Sequence, residues 1–461
     1  MTPAPTVHEQ PYGIGPGTGT RIAIIGAGIA GRLIAWMLSR KTAAAAATAA
    51  TAGAGQRGSQ QVVVFERTGP EGVDTCSATA AGMIAPFTEL ANRDPLIADI
   101  GLHALALWPS IIDALRPRHD VFWQADGSLM VAAPRDRAEL DHFADTIRSL
   151  NRAESMQTVN RADLQTMEPD LATAFDRGLY FPSEAQVDSR EVLRALADDS
   201  AARGVAFRWN TEVLTIREDR ATPDLTMLTM ANGDHSHGHS VATGGCIVRS
   251  RSMTGDDRGA TTCDDMFDVV IDCRGLAAQP DLSELRGVRG ELIEVHAPDV
   301  HLRRPIRFLH PRTSAYIVPR PRHQRYLIGA SVIESEDQGQ ISVRSVLELL
   351  SAAWTVNPAF AEARVLSTRV NCRPALDDNQ PRVVIEAGGR LIRVNGLFRH
   401  GYLLGPAVAE HVLCLLQSAG SIGDGPRGIE VDAVRNPMAE AALSTITVDR
   451  SEQRETESAS R

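Results

Sequence analysis

RIAIIGAGIAGRLIAWMLSR, residues 21–40, followed by VVVFER at 62–67, decides the architecture. Arg21 to Gly26 is a short apolar run that reads as a buried strand, and 28–40 reads as a helix. The β-branched run at 62–67 reads as a second strand, so the three pieces predict a βαβ unit of a parallel sheet. Between strand and helix stands Gly26-Ala27-Gly28-Ile29-Ala30-Gly31, a complete GxGxxG. Gly26 permits the tight turn, Gly28 lets a pyrophosphate approach the backbone, and Gly31 lets the helix pack on the sheet. The helix N-terminus offers N–H groups and a partial positive charge to the phosphates. Glu66 ends the second strand, where a carboxylate takes ribose hydroxyls. It follows Gly31 by 35 residues, against about 20 in the usual unit. An insertion at 41–60, KTAAAAATAATAGAGQRGSQ, accounts for the excess. The competing reading is a glycine-rich turn with no ligand. The strand–turn–helix frame and the terminal acid weigh against it.

The rest of the composition narrows the class. A chain of 461 residues predicts two or three domains, or one large interleaved pair, at roughly 100–200 residues each. Hydrophobic residues are 43 % and charged residues 23 %, the profile of a globular protein with a large core. A net charge of −10 argues against a nucleic-acid binder and against a polybasic membrane anchor. No apolar run is expected to approach the ~18 residues of a membrane span, and MTPAPTVHEQ has no features of a secretory signal. The cysteines at 76, 246, 263, 273, 372 and 414 form no CxxC, so reduced thiols in a cytoplasmic protein are expected. His235, His237 and His239 alternate, but no acid or thiol is spaced to complete a metal shell, so a solvated loop is expected and no metal.

Further elements follow from pattern. Helices are predicted at 98–116, 191–203 and 403–417, and strands at 205–216, 268–273, 314–318, 326–332 and 390–394. The alanines of 41–60 can extend the first helix, whereas its Gly/Ser/Gln end cannot. Residues 231–264 read as a second insertion, an extended hairpin or loose loop around a small apolar island at 246–248. The fold class expected is an α/β, Rossmann-like dinucleotide-binding domain, assigned to FAD by residues 76–86, plus an α+β substrate domain with a mainly antiparallel sheet. The first takes 21–115, 185–275 and 366–420, and the second 116–184 and 276–365. Residues 1–20 are expected to be a flexible tail and 421–461 a largely flexible extension.

The segment after Glu66-Arg67 separates FAD from NAD. CSATAAGMIAP, residues 76–86, is made of small residues followed by Gly82-Met83. Such a backbone can lie close against a flat ring and a ribityl chain, which an NAD enzyme does not need. Taken with LHALALWPSIIDAL (102–115), GSLMVA (127–132), GLYFPSEAQVDSREVLRAL (178–196), RGVRGE (286–291), AYIVPR (315–320), RPALDDNQPRV (373–383) and NGLFRHGYLLGPAVAE (395–410), the chain resembles the FAD-dependent amine oxidases of the D-amino-acid-oxidase superfamily. Within it the chain is most similar to the glycine oxidases of thiamine biosynthesis, in their proteobacterial form. The resemblance runs in order over about 21–420 and fails in the two insertions and the tails.

That resemblance implies site residues. Gly26, Gly28, Ile29, Ala30, Gly31, Glu66 and Arg67 match the ADP-binding part. Cys76, Ser77, Ala81, Gly82 and Met83 match the segment under the flavin, Val213 a backbone contact on the adenine side, and Gly275 the turn after the 268–273 strand. Leu397, Phe398, His400, Gly401, Tyr402 and Leu403 match the loop against the isoalloxazine. Arg373 matches the arginine that binds the substrate carboxylate, Arg399 a second arginine at the flavin and substrate site, and Tyr316 an active-site tyrosine. Ser314, Val332 and Cys273-Arg274 depart from the commoner family residues, which bears on the shape of the pocket.

Physically, amine oxidation on a flavin needs a clamp for the carboxylate more than an acid–base residue. A guanidinium fork pairs both carboxylate oxygens at once, so Arg373 is the expected clamp. Its competing reading is a surface arginine paired with Asp377 or Asp378. Tyr316 is a donor to the same carboxylate, a wall of the pocket, or ordinary packing. His400 adds positive charge near the flavin or bonds only to backbone. Asp272 and Glu291 are expected to be structural, and HLRRPIRFLHPR (301–312) a solvated strand or subunit contact. The leading expectation is FAD-dependent oxidation of glycine through an imine to glyoxylate, ammonia and H2O2, with O2 as acceptor and the imine feeding thiazole formation. Thiazole synthase and further copies of the chain are the partners this implies. Sarcosine or a D-amino acid is the rival substrate. A flavoprotein that modifies protein or tRNA, and a non-catalytic FAD-binding protein, are the rivals of other classes.

Overall fold

The computed structural model describes residues 20–51, 60–72, 74–92, 94–219, 245–253, 261–311, 314–418 and 437–450. The first strand, β1 (Arg21–Ile25), lies between β2 (Gln61–Phe65) and Val269–Asp272 and is parallel to both. Ile22 to Ile25 and Val62 to Phe65 are buried, which is why these strands read as continuous rather than alternating apolar runs. The predicted crossover helix, α1, spans Ile29–Thr51. The alanine run does extend it, since alanine loses no side-chain entropy in a helix.

The complete sheet has seven strands in the order Thr447–Asp449, Arg382–Glu386, Leu391–Asn395, Val269–Asp272, β1, β2, Ala206–Arg208. It is parallel except where Arg382–Glu386 meets Leu391–Asn395. Leu33, Trp36, Trp108, Leu196 and Leu404 share the core on its helical side. A second sheet of nine strands is antiparallel apart from the pairing of Ile306–Leu309 with Ser128–Ala132. The architecture is therefore an α/β unit on a mainly parallel sheet beside an α+β unit on a mainly antiparallel one, as expected.

Three expectations need correction, and one open choice, hairpin or loop around 246–248, falls to the hairpin. Arg364–Ala375 pairs along its whole length with Arg286–His296 in the second sheet, so the chain returns to the first sheet near 376 rather than 366. The carboxy-terminal extension is not all loose: Pro437–Thr445 is a helix and Thr447–Asp449 an edge strand of the parallel sheet. Buried Ala439, Ala442, Leu443 and Ile446 hold it there. Helix Pro95–Leu115, 21 residues long, is long and apolar enough to cross a membrane by length and composition, which no segment was expected to be. Its apolar stripe, including Ile100, Ala104, Leu107, Trp108 and Ile111, is packed in the core instead. The island at 246–248 is the middle strand, Gly245–Ser252, of a three-stranded antiparallel sheet between Thr211–Asp219 and Thr262–Phe267. His235, His237, His239, the tail 1–19 and residues 52–59 lie outside the described residues.

Candidate active site

A cavity of about 1480 Å³ runs from the glycine turn of the parallel sheet to the face of the antiparallel one. At its first end the backbone requires glycine at Gly26 and Gly31. Gly26 has φ +95°, and a side chain there would lie 2.5 Å from the Cys273 carbonyl. A Cβ on Gly31 would sit 2.0 Å from the Gly26 carbonyl oxygen, so no other residue lets α1 come this close. Gly28 faces the cavity, and a Cβ there would meet only Ser77 Oγ, at 3.2 Å. The turn is braced from several sides. Ala27 donates its amide to Glu66 (2.7 Å), and Ile29 donates to Ser77 Oγ (2.9 Å). The Arg32 guanidinium, buried, donates to the carbonyls of Ala27, Leu193 and Pro70. Arg32 escaped the sequence reading because it lies on a helix face that shows no charge pattern.

The buried Glu66 carboxylate also accepts from the Thr68 amide and hydroxyl, both at 3.0 Å. It shapes the turn as well as facing the cavity. Arg67, Cys76, Ala81, Met83, Val213, Gly275, Leu397, Phe398 and His400 line the same space, as do Ile29, Ala30, Gly82, Gly401, Tyr402 and Leu403. The Cys76 thiol donates toward Asn371 Oδ1 and the Cys372 carbonyl, each 2.9 Å away. Burial pushes it up to about 12, so it is a neutral wall and not a nucleophile. The Tyr402 hydroxyl donates toward the carbonyls of Ser77 (2.9 Å) and Ser189 (3.0 Å), and its ring stacks on Trp108. Tyr402 therefore props the Cys76–Thr79 turn from behind.

The second end is built by register. Tyr316 pairs with Arg307 on one side and Gly329 on the other, so Arg307 and Tyr316 present side chains on one face of the sheet. Gly329 leaves room for the ring: a Cβ there would lie 2.7 Å from Tyr316 Oη. Gly290 does the same for Arg373, whose Nη2 would be 2.2 Å from an added Cβ. Arg373 Nη1 donates to the Ser331 carbonyl (3.1 Å) and more weakly to that of Arg289 (3.4 Å). Asp378 bonds to Arg382 instead. Among the described residues Arg373 has no carboxylate partner, so the surface ion pair is not what forms. Burial lowers its pKa, yet a guanidinium remains protonated. Burial raises that of Tyr316, which keeps it a neutral phenol donor.

Arg399 is less simple. It pairs with Glu89, which also takes Arg307 (2.9 Å) and faces His400 Nε2 (3.3 Å). Burial pushes the Glu89 carboxyl up, but Arg399, Arg307 and His400 together hold it well below the usual carboxylate range. The sequence reading missed Glu89, which sits in an apolar stretch with no motif. It also placed Arg307 on a solvated strand or at a subunit contact. Arg307 is buried because it occupies the cavity-facing position between Ile306 and Phe308, whose side chains fill the opposite core. Sheet alternation in RPIRFL is the signal that marks it. Asp272 and Glu291 are structural as expected: the first pairs with Arg274 and Arg393, the second with Arg289.

The donor set fits a flavin dinucleotide. A glycine cradle stands over a helix N-terminus, small residues line the middle, and the buried His400 Nδ1 has no partner. The sequence model of the DAO family, described as FAD dependent oxidoreductase, matches residues 21–415. A Rhizobium etli protein provisionally named as a thiamine biosynthesis oxidoreductase, ThiO, is 36 % identical over 395 residues, 85 % of this chain and 95 % of that one. The crystal structure of glycine oxidase from Geobacillus kaustophilus superposes with a TM-score of 0.65 at 25 % identity, over 87 % of this chain and 95 % of that one. That of glycine oxidase from Bacillus cereus does so with a TM-score of 0.66 at 22 % identity, over the same shares.

Proposed function

The chain belongs to the family of FAD-dependent oxidoreductases, and on that premise we propose that it oxidises glycine to its imine, which water converts to glyoxylate and ammonia. Arg373 carries the reading: a half-buried guanidinium with no carboxylate partner among the described residues, beside a neutral phenol, in the cavity that the glycine turn opens. Its fork pairs both oxygens of the substrate carboxylate, and Tyr316 donates to the same group. The two contacts fix the amine carbon in one orientation. The adjacent cation favours the neutral amine, the form that can be oxidised. When bound, FAD accepts the two electrons and the hydrogen taken from that carbon. We assign O2 as the final acceptor, giving H2O2.

The relative named for thiamine biosynthesis supports a route in which the imine feeds thiazole formation, with thiazole synthase as the consuming partner. We also propose that the parallel sheet holds the cofactor and the antiparallel sheet the substrate. A reduced cytoplasm fits cysteines that form no disulfide among the described residues, and a homo-oligomer is the assembly we expect. Sarcosine or a D-amino acid is favoured by one observation: Ser314 and Val332, both short, line the cavity. The deciding experiment is anaerobic addition of glycine to the purified yellow protein. Loss of the flavin bands supports the reading, and unchanged bands refute it. Comparison of kcat/KM for glycine, sarcosine and D-alanine separates the substrates.

A further inference from the structure

Glu89 has an unusual position. It stands in the turn Thr88–Asn92 and lines the cavity together with every group it contacts. Its partners come from two separate elements, Arg307 from the strand Ile306–Leu309 and Arg399 with His400 from the loop before Gly401–Ser418. Arg373, in contrast, is held by carbonyl oxygens alone. Of the arginines that line the cavity, Arg307 and Arg399 are already satisfied by Glu89, whereas Arg373 has no carboxylate partner among the described residues. A second carboxylate entering on a substrate would find those donors taken and would meet the charge of Glu89.

We propose that Glu89 is a specificity-determining residue, its carboxylate occupying the place against Arg307 and Arg399 that a second substrate carboxylate would otherwise take. The site then accepts amino acids with one carboxylate and rejects those with two. This deepens the reading of Arg373 as the substrate clamp and rests on it. A purely structural Glu89 would make its loss destabilising and nothing more. Because the arginines face the cavity, its loss also leaves the buried Arg307 and the half-buried Arg399 without their counter-charge, where an external anion can reach them.

The test uses the FAD-loaded protein at pH 8 and two acids of equal carbon number, propionate and malonate. Affinity is read from perturbation of the flavin absorbance, and stability from Tm with and without each acid. In the unmodified protein propionate competes with glycine, and malonate binds more weakly than propionate. In Glu89→Gln the order reverses. Malonate binds at least about tenfold tighter than propionate, the gain of one charge-assisted hydrogen bond, and raises Tm where propionate does not. Glu89→Asp keeps the original order. A Glu89→Gln protein that still prefers propionate overturns the proposal. Should that variant fail to fold, an unmodified protein that prefers malonate overturns it equally. If propionate competes with glycine and Glu89 does not govern the order, this proposal alone falls. If neither acid competes with glycine, the reading of Arg373 falls and takes the proposal with it.

Discussion

Replacing Arg373 with methionine keeps most of the side-chain volume and removes the fork. Arg373 is half-buried, packed against Gly290 and anchored by two backbone carbonyls, so it is already aimed before substrate arrives and loses little entropy on binding. Its two bonds to a carboxylate are charge-assisted, at ~1.5–3 kcal/mol each. Their loss lowers kcat/KM for glycine by roughly 10²- to 10⁴-fold. Arg373→Lys keeps the charge without the fork, so its loss is smaller but still at least about tenfold. Gly290→Ala leaves the arginine in place and pushes it aside, because the new Cβ would lie 2.2–2.5 Å from its guanidinium atoms. It raises KM without removing the cation. The assay is steady-state oxygen uptake with glycine, normalised to bound flavin by absorbance. Retention of kcat/KM within about threefold in Arg373→Met, at full flavin content, refutes the clamp.

Other perturbations test the scaffold. Gly31→Ala places a Cβ 2.0 Å from the Gly26 carbonyl oxygen; it costs ~1–3 kcal/mol by overpacking and lowers the flavin retained through gel filtration. Tyr402→Phe strands the carbonyls of Ser77 and Ser189 and costs ~1–3 kcal/mol in urea unfolding; a shifted flavin spectrum would mean that the ring touches the cofactor instead. Burial pushes Glu184 up to about 7 from an ordinary 4.5, despite its bonds to Ser128, Thr88 and Phe87. Its folded form holds a proton that the unfolded form releases, so this group's contribution to stability is full below about pH 4.5 and is lost as pH rises through about 7, by about 3 kcal/mol. In Glu184→Gln that component of the pH slope is missing, and identical slopes for the two proteins between pH 4.5 and 7 would overturn the assignment.

Local chain chemistry was enough to read the parallel unit. The order strand, glycine turn, helix, strand is written within 21–67, and Gly26 and Gly31 are required by backbone contacts within the turn itself or at the end of the neighbouring strand. Arg373 and Tyr316 were legible through resemblance, since a lone arginine or tyrosine on a strand carries no chemical signature of its own. Of the Glu89 cluster, Arg399 and His400 were legible through the same resemblance, but Glu89, Arg307 and the meeting of the four were not. Its members stand at 89, 307, 399 and 400, and nothing near any of them announces the others. The return of Arg364–Ala375 to the second sheet and the docking of Pro437–Asp449 on the first were hidden for the same reason. Periodicity and turn chemistry act over a few residues and so can be seen in one dimension. Which buried charges meet depends on how distant strands register, and that is settled only when the two sheets close over a common cavity.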